Sequence, residues 1–360
     1  MKPVSVFLLL FLFATTCGFL CSKKDSPANP NPPGPSNGIY AIYSTGFQHM
    51  DRTAGIWHDG TSTTLLNRGS KVYLNDMAIA PNGDVYVAGC ECTWDRNPPP
   101  SVQKDDSCKI TLWKNNVRQE LTKVPYSSIT EAHVFVTGAG DVYVAGSENI
   151  PSTGAGKIRL WKNGVPQDIT NNTVSAMATS LFVNGNDVYI GGNQKPVGEI
   201  KTTATLWKNG VPQKISGNTS YFDEISAIQV SGTDVYTAVR EAGSGWLAKN
   251  GVKQAQPSGI KTIRDIFLSG TDLYVLGNTN NTTTSVWKNG NLLYNLTYTG
   301  ILDYYDGGQS MYVKDGDVYV AGVTTINGSE NAVIWKNGSI IHTMVKPGMS
   351  LTTAEAIIVK

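Results

Sequence analysis

Excess charge of one sign is what this sequence most lacks. Across 360 residues, Lys and Arg number 29 and Asp and Glu 28, so the formal charge is +1. No positive field is available to bind nucleic acid by counterion release. Charged residues make up only 16% of the chain, too few for coiled coils or long solvated helices. After residue 38 no long uninterrupted apolar run occurs, so nothing there has the length of a helical membrane span. Motifs that carry chemistry are missing too. There is no Gly-x-Ser-x-Gly elbow, no phosphate-binding glycine loop and no His-Glu-x-x-His. The four histidines, His49, His58, His133 and His342, show no paired metal spacing. The expectation is a chain with no cofactor, no metal site and no catalytic constellation.

What is present begins with an address. Lys2 is followed by an apolar run from Val4 to Phe13, the length of a signal-peptide core. Cys17 follows Ala14-Thr15-Thr16, and Cys21 follows Gly18-Phe19-Leu20. The segment resembles a bacterial lipoprotein signal, in which a cysteine becomes the lipidated first residue of the mature protein. Ser22-Lys23-Lys24-Asp25 is similar to the charged stretch after the acylated cysteine in Bacteroidetes-type lipoproteins. The resemblance implies lipidation at Cys21, with Cys17 as the alternative. It also implies a place in the bacterial cell envelope, at the outer membrane on either face, held through the lipid alone. An ordinary cleaved signal peptide is the other reading. Residues 26–37 hold five prolines and form an extended tether with a reach of roughly 50 Å from Cys21. The expected organisation is a signal over 1–20, lipidated Cys and tether over 21–37, and one folded domain over 38–360.

That domain is repetitive. Asp84-Val-Tyr-Val-Ala-Gly89 recurs at Asp141, Asp187, Asp234, Asp272 and Asp317, with a degenerate first copy at Gly38-Ile-Tyr-Ala-Ile-Tyr43. Each copy is followed by a second string of the form Trp161-Lys-Asn-Gly164, beginning at Trp57, Trp113, Trp161, Trp207, Trp246, Trp287 and Trp335. Seven copies over 38–360 give about 46 residues per repeat, the propeller period. Each repeat divides into four short strands, with Asn-Gly as a type I′ hairpin turn between the third and fourth. The recurring Trp and Tyr are read as packing between blades. Ala354-Glu-Ala-Ile-Ile-Val359 matches a first strand with no second to follow, whereas the first repeat begins at its second strand. The prediction is an all-β, seven-bladed β-propeller of four-stranded blades. The C-terminal strand completes the first blade and closes the ring, which removes exposed edges. A β-solenoid is the alternative. The repeats resemble those of bacterial extracytoplasmic β-propellers, an architecture that implies no single function.

Turns between first and second strands are short, as at Asn82-Gly83 and Asn184-Gly-Asn186, and share one end with the Asn-Gly turns. Asp315-Gly316-Asp317 reads as such a turn rather than as a calcium loop. The variable loops lie at the other end, where binding residues concentrate on a rigid scaffold. There the first strands break the repeat. One position reads Asp76, His133, Ser180, Ala227, Asp265, Ser310 and Ala356. Its neighbour reads Asn75, Ala132, Thr179, Ser226, Arg264, Gln309 and Glu355, with Glu131 and Glu224 just before. Non-repeating polar residues around one axis suit a ligand site, and a hydrated channel is the plain alternative. Asp76, His133, Arg264, Asp265, Gln309 and Glu355 are the candidate contacts.

Cys90, Cys92 and Cys108 bracket a long loop. An exported chain can bridge Cys108 to Cys90 or Cys92 and so pin that loop, which carries two further candidate contacts, Trp94 and Arg96. The leading functional expectation is a monomeric, non-catalytic binding or interaction protein for a glycan, a peptide or an envelope protein. A glycan needs exposed rings at the loop end, with Trp94, Tyr126, Tyr221, Tyr304 and Tyr305 as candidates. One alternative is a polysaccharide hydrolase or lyase using Asp76, Asp265 or Glu355, with His133 as base. Another is a structural scaffold for an envelope complex.

Overall fold

The computed structural model describes residues 37–45, 53–65, 70–93, 107–122, 131–150, 155–171, 173–217, 220–279, 283–296, 307–344 and 352–360. The chain divides into Met1–Pro33 and Gly34–Lys360, and all the described strands belong to the second unit. They form seven four-stranded antiparallel sheets. Each inner strand neighbours the next, and the last neighbours that of the second blade, so the sheets form a closed seven-bladed β-propeller. Blade 2 is representative: Ser70–Ile79 innermost, then Val85–Thr93, Ser107–Lys114 and Val117–Glu120 outermost. Blades 3 to 7 follow in the same order. Blade 1 is built from both ends of the domain. Its inner strand, Thr352–Val359, pairs antiparallel with Ile39–Thr45. Gly38 and Lys360 exchange backbone hydrogen bonds at 3.1 and 2.9 Å.

Among the described residues the apolar core is divided between the blades rather than gathered at the axis. Seven buried apolar clusters lie one in each interface between neighbouring blades. Side-chain alternation along a strand explains this, because each sheet must bury both faces. The Trp of each blade packs toward the preceding blade: Trp161 lies with Val134, Tyr86 and Ala88, and Trp207 with Leu181, Tyr143 and Ala145. The repeat Tyr packs toward the following blade, as Tyr143 does. The outer strands Val117–Glu120, Val165–Asp168 and Val211–Lys214 are exposed along their length. Pro166 and Pro212 and the charges beside them keep these edges from recruiting further strands.

The rest of the repeated strings builds one small device per blade. In blade 4, Lys208 Nζ lies 2.7 Å from Asp187 Oδ2 and 5.2 Å from the centre of the Tyr189 ring. Asn209 Nδ2 donates to Asp187 Oδ1, and its Oδ1 accepts from the Val188 backbone N–H, both at 2.8 Å. Asn209 and Gly210 have φ of 51° and 82°, as a type I′ turn requires. Lys208 and Asn209 hold the Asp187 carboxyl below the usual carboxylate range. The same four residue types repeat this arrangement in blades 2, 3, 5, 6 and 7. Asp317 is a member, so the Asp315-Gly316-Asp317 stretch is turn chemistry. Blade 1 substitutes Tyr40 stacked on His58 at 4.0 Å, with Asp59 accepting from Ile39 N–H. Asn209→Ala should therefore cost about 1–3 kcal/mol, from two lost hydrogen bonds and a left-handed backbone without Asn or Gly. Denaturant unfolding would measure it. Asn209→Gly, which keeps the backbone freedom, should cost less.

Candidate functional site

Strand alternation puts the tight turns at one end of the ring and the second-to-third loops and blade connections at the other. Residues 38 and 360 lie at the turn end. The inner strands run from the loop end to the turn end, and register makes their positions comparable. Asp76, His133, Ser180, Ala227, Asp265, Ser310 and Ala356 all occupy the same step, paired with Ala88, Ala145, Gly191, Ala238, Leu276, Ala321 and Ile42.

The step before it is a β-bulge. In six blades the register shifts by one residue, leaving Asn75, Thr179, Ser226, Arg264, Gln309 and Glu355 as the extra residue. A bulge bends the strand and re-aims its side chains, here at the loop-end part of the inner strands. Blade 3 is the exception among the described residues. Ala132 pairs with Gly146 and His133 with Ala145 without a break. Ala132 thus matches Leu74 and Ala178, not Asn75, and blade 3 is one residue shorter. The sequence alignment that placed Ala132 beside Asn75 is corrected by this.

Several of these side chains tie one blade to the next. Asp76 accepts from its neighbour Met77 N–H at 2.8 Å and from Val134 N–H of blade 3 at 3.1 Å. Asp265 repeats the pattern with Ile266 and with Met311 of blade 7, both at 2.8 Å. Asn75 accepts from Ala132 N–H at 3.1 Å, and Thr179 donates to the Ile225 carbonyl. Arg264 donates to Gln309 at 3.4 Å. Glu355 accepts from Ser44 at 3.0 Å and Thr353 at 2.6 Å.

Burial sets the electrostatics. It raises the Asp265 carboxyl to about 7 against the pull of its two backbone N–H donors, and the Asp76 charge adds to the rise. Asp76 is raised by burial too, offset in part by His133. Burial pushes His133 down, but Glu131 and Asp76, at 3.7 and 3.8 Å, outweigh it and hold the imidazole above its usual value. Burial also raises Glu224, against Arg240 at 2.9 Å, and the Glu131 charge adds to it. Acids from blades 2, 3, 5 and 6 therefore sense one another at the loop end. Arg240, and Asn193 which hydrogen-bonds Glu224, did not stand out in the sequence. Arg240 had a signal, because it follows Val239 where five of the other copies have Gly.

Among the described residues no group of three or more His, Cys, Asp or Glu is disposed to hold a metal ion. A recess of about 390 Å³ lies at the opposite end, between blades 3 and 4, beside Phe135, Lys162 and Asn186. It is apart from the loop-end residues, and Lys162 there is already paired with Asp141.

Cys92 is bridged to Cys108, directly opposite it in neighbouring strands of blade 2. Cys90 is a buried thiol in the same small cluster, packed with Tyr73. Register resolves the alternative left open by the sequence, because Cys90 sits opposite Ile110. Trp94, Arg96, Tyr126, Tyr304, Tyr305, Cys17 and Cys21 lie outside the described residues. Tyr221 is exposed, beside an exposed Phe222.

No protein-family model and no curated protein matches the sequence. Solved structures do. The β-propeller domain of the Trilobed protease from Pyrococcus furiosus aligns at TM-score 0.52 and 8% identity, over 87% of this chain and 96% of that one. It is described as having an open velcro topology, whereas here the C-terminal strand pairs with the first described strand. AztD from Citrobacter koseri aligns at TM-score 0.44 and 10% identity, over 89% and 98%. An acylaminoacyl peptidase from Pyrococcus horikoshii aligns at TM-score 0.43 and 14% identity, and this chain spans 47% of its length. The first of these shows a shared fold and nothing more.

Proposed function

We propose that this chain is a non-catalytic, envelope-anchored binding propeller whose ligand enters at the loop end of the axis. The observation that carries the proposal is the ring of bulges. Six blades carry an extra residue at the same step, and the side chains there change from blade to blade while the Trp of the third strand recurs in every blade. Asp76 and Asp265 clamp neighbouring blades through backbone N–H groups, Arg264, Gln309 and Glu355 add side-chain contacts of their own, and no two blades carry the same pair of residues at this step. The anchor would be a lipid on Cys21, or on Cys17, with residues up to 37 as tether. A glycan, a peptide or an envelope protein remains the class of partner.

The polysaccharide hydrolase or lyase reading finds less support. The acids it would use are committed to the fold, since Asp76 and Asp265 each accept from two backbone N–H groups and Glu355 accepts from Ser44 and Thr353.

Thermal unfolding of the protein against glycans, peptides and divalent ions tests the proposal, with an Arg264→Ala/Asp265→Ala double variant as control. A ligand at 100 times its dissociation constant adds about 2.7 kcal/mol. The expected result is a raised midpoint in the parent that is absent in the variant. No shift across the panel, or an equal shift in both, overturns it.

A further inference from the structure

We infer that the loop end takes a carbohydrate chain, with Tyr221 and Phe222 as the platform on which a sugar ring stacks. This rests on the loop-end reading above and names its ligand class. Phe222 is 70% exposed, Tyr221 56% and Ile200 62%. The other most exposed aliphatic side chains, Val117, Val165, Val211 and Val252, follow the tight turns at the opposite end.

The platform is held in place by a fully buried carboxylate. Asp223 has no exposed surface. Its Oδ2 accepts from Ser216 at 3.2 Å, and its Oδ1 from Ser220 at 2.5 Å and from Ala242 N–H at 3.0 Å. Its backbone carbonyl accepts from Thr202 Oγ1 at 3.0 Å, and Thr202 N–H donates to the Ser220 carbonyl at 3.0 Å. Three segments meet at that one residue: the second-to-third loop of blade 4, the connection from blade 4 to blade 5, and the short second-to-third connection of blade 5. A buried carboxylate is costly unless its lone pairs are filled, and here filling them fixes two exposed rings. Rigid aromatic faces bind with little loss of side-chain freedom.

Charge and area argue for a sugar. Arg240 donates through Nε to the Phe222 carbonyl at 3.3 Å and pairs through Nη2 with Glu224 at 2.9 Å. Glu224 in turn hydrogen-bonds Asn193. A guanidinium, a carboxylate and an amide thus follow one another from the backbone that carries the two rings toward the acids of the inner strands. A sugar ring offers an apolar C–H face to a π system, and its edge hydroxyls take planar partners of those kinds. The exposed rings and aliphatics present on the order of a few hundred Å². That falls short of the roughly 800 Å² per partner of a standard protein interface, and it suits one or two sugar rings.

The test is calorimetric titration of the full chain with cellohexaose, xylohexaose, mannohexaose and chitohexaose. At least one should bind. Tyr221→Ala/Phe222→Ala should weaken that binding tenfold or more with an unchanged unfolding midpoint. Tyr221→Leu/Phe222→Leu, which keeps the apolar area and removes the π faces, should weaken it comparably. Equal hexaose binding by parent and variants overturns the platform, and if Arg264→Ala/Asp265→Ala abolishes that binding the loop-end reading survives. No hexaose binding, with a midpoint shift from a peptide or a divalent ion that the Arg264/Asp265 variant loses, overturns the carbohydrate and again leaves the loop-end reading. No binding of any kind overturns both.

Discussion

Removing residues 352–360 is expected to abolish the cooperatively folded ring. Thr352–Val359 is the inner strand of blade 1, and it contacts the inner strands of blades 2 and 7. Its loss strips the pairing that runs from Ile39↔Val359 to Thr45↔Thr352. The buried Ala354, Ala356, Ile357 and Val359 go with it, as does the Glu355 contact with Ser44. Burial of these apolar side chains contributes on the order of 5–8 kcal/mol. A whole domain is stable by only about 5–15 kcal/mol. Ile39–Thr45 would also become an open edge, ready to pair with another chain. The truncated protein should elute as aggregate and lose its sharp denaturant transition. A synthetic peptide of residues 352–360 added during refolding should restore part of it. A truncated monomer melting at the midpoint of the parent would show that the ring does not depend on this closure.

The closure was legible in the sequence because both halves of the split blade carry recognisable strand patterns, an orphan first strand at one end and a missing one at the other. The seven Trp and the Asn-Gly turns were legible for the same reason, since a position repeated in every blade has a repeated environment. Other features were hidden by the kind of contact that makes them. Asp187, Lys208 and Asn209 are visible as repeated letters, yet their mutual bonding is a tertiary fact. The bulges look in sequence like ordinary strand residues, because one extra residue cannot be told from a shifted alignment, and Ala132 was misplaced for that reason. Cys92 was chosen over Cys90 by cross-strand register, which two residues of spacing do not reveal. At the candidate site Tyr221 was recognisable as a loop aromatic. Asp223 was not, because it gathers hydroxyls and an N–H from positions 202 to 242, and only the fold brings these together.

The stability of the protein should fall as pH rises from 5 to 8, and Asp265→Asn should flatten that fall. Asp265 has a folded pKa of about 7, against about 3.9 in an unfolded chain. Between those values the folded state holds a proton that the unfolded state has released, so stability decreases as pH rises. The full linkage is worth about 4 kcal/mol, of which some 2–3 kcal/mol falls between pH 5 and 8. Because Asp265 is only partly buried, water reaching it reduces this. Asp76, Glu224 and His133 are raised too and act with the same sign. The acids paired in the blade devices, such as Asp84 and Asp187, are lowered. Their contribution is lost only as pH falls below the usual carboxylate range, so the two effects occupy separate windows and maximal stability should lie on the acid side of neutrality. Asparagine at 265 carries no charge at any pH. Its single oxygen can accept from only one of the Ile266 and Met311 N–H groups, leaving the other opposed by an amide donor, at about 1–3 kcal/mol. The variant should therefore be clearly less stable than the parent at pH 5 and close to it, or above it, at pH 8. Denaturant unfolding across that range would show the two curves converging. Parallel curves would mean that Asp265 is ionised in the folded ring at pH 5, and that burial does not raise its carboxyl toward neutrality.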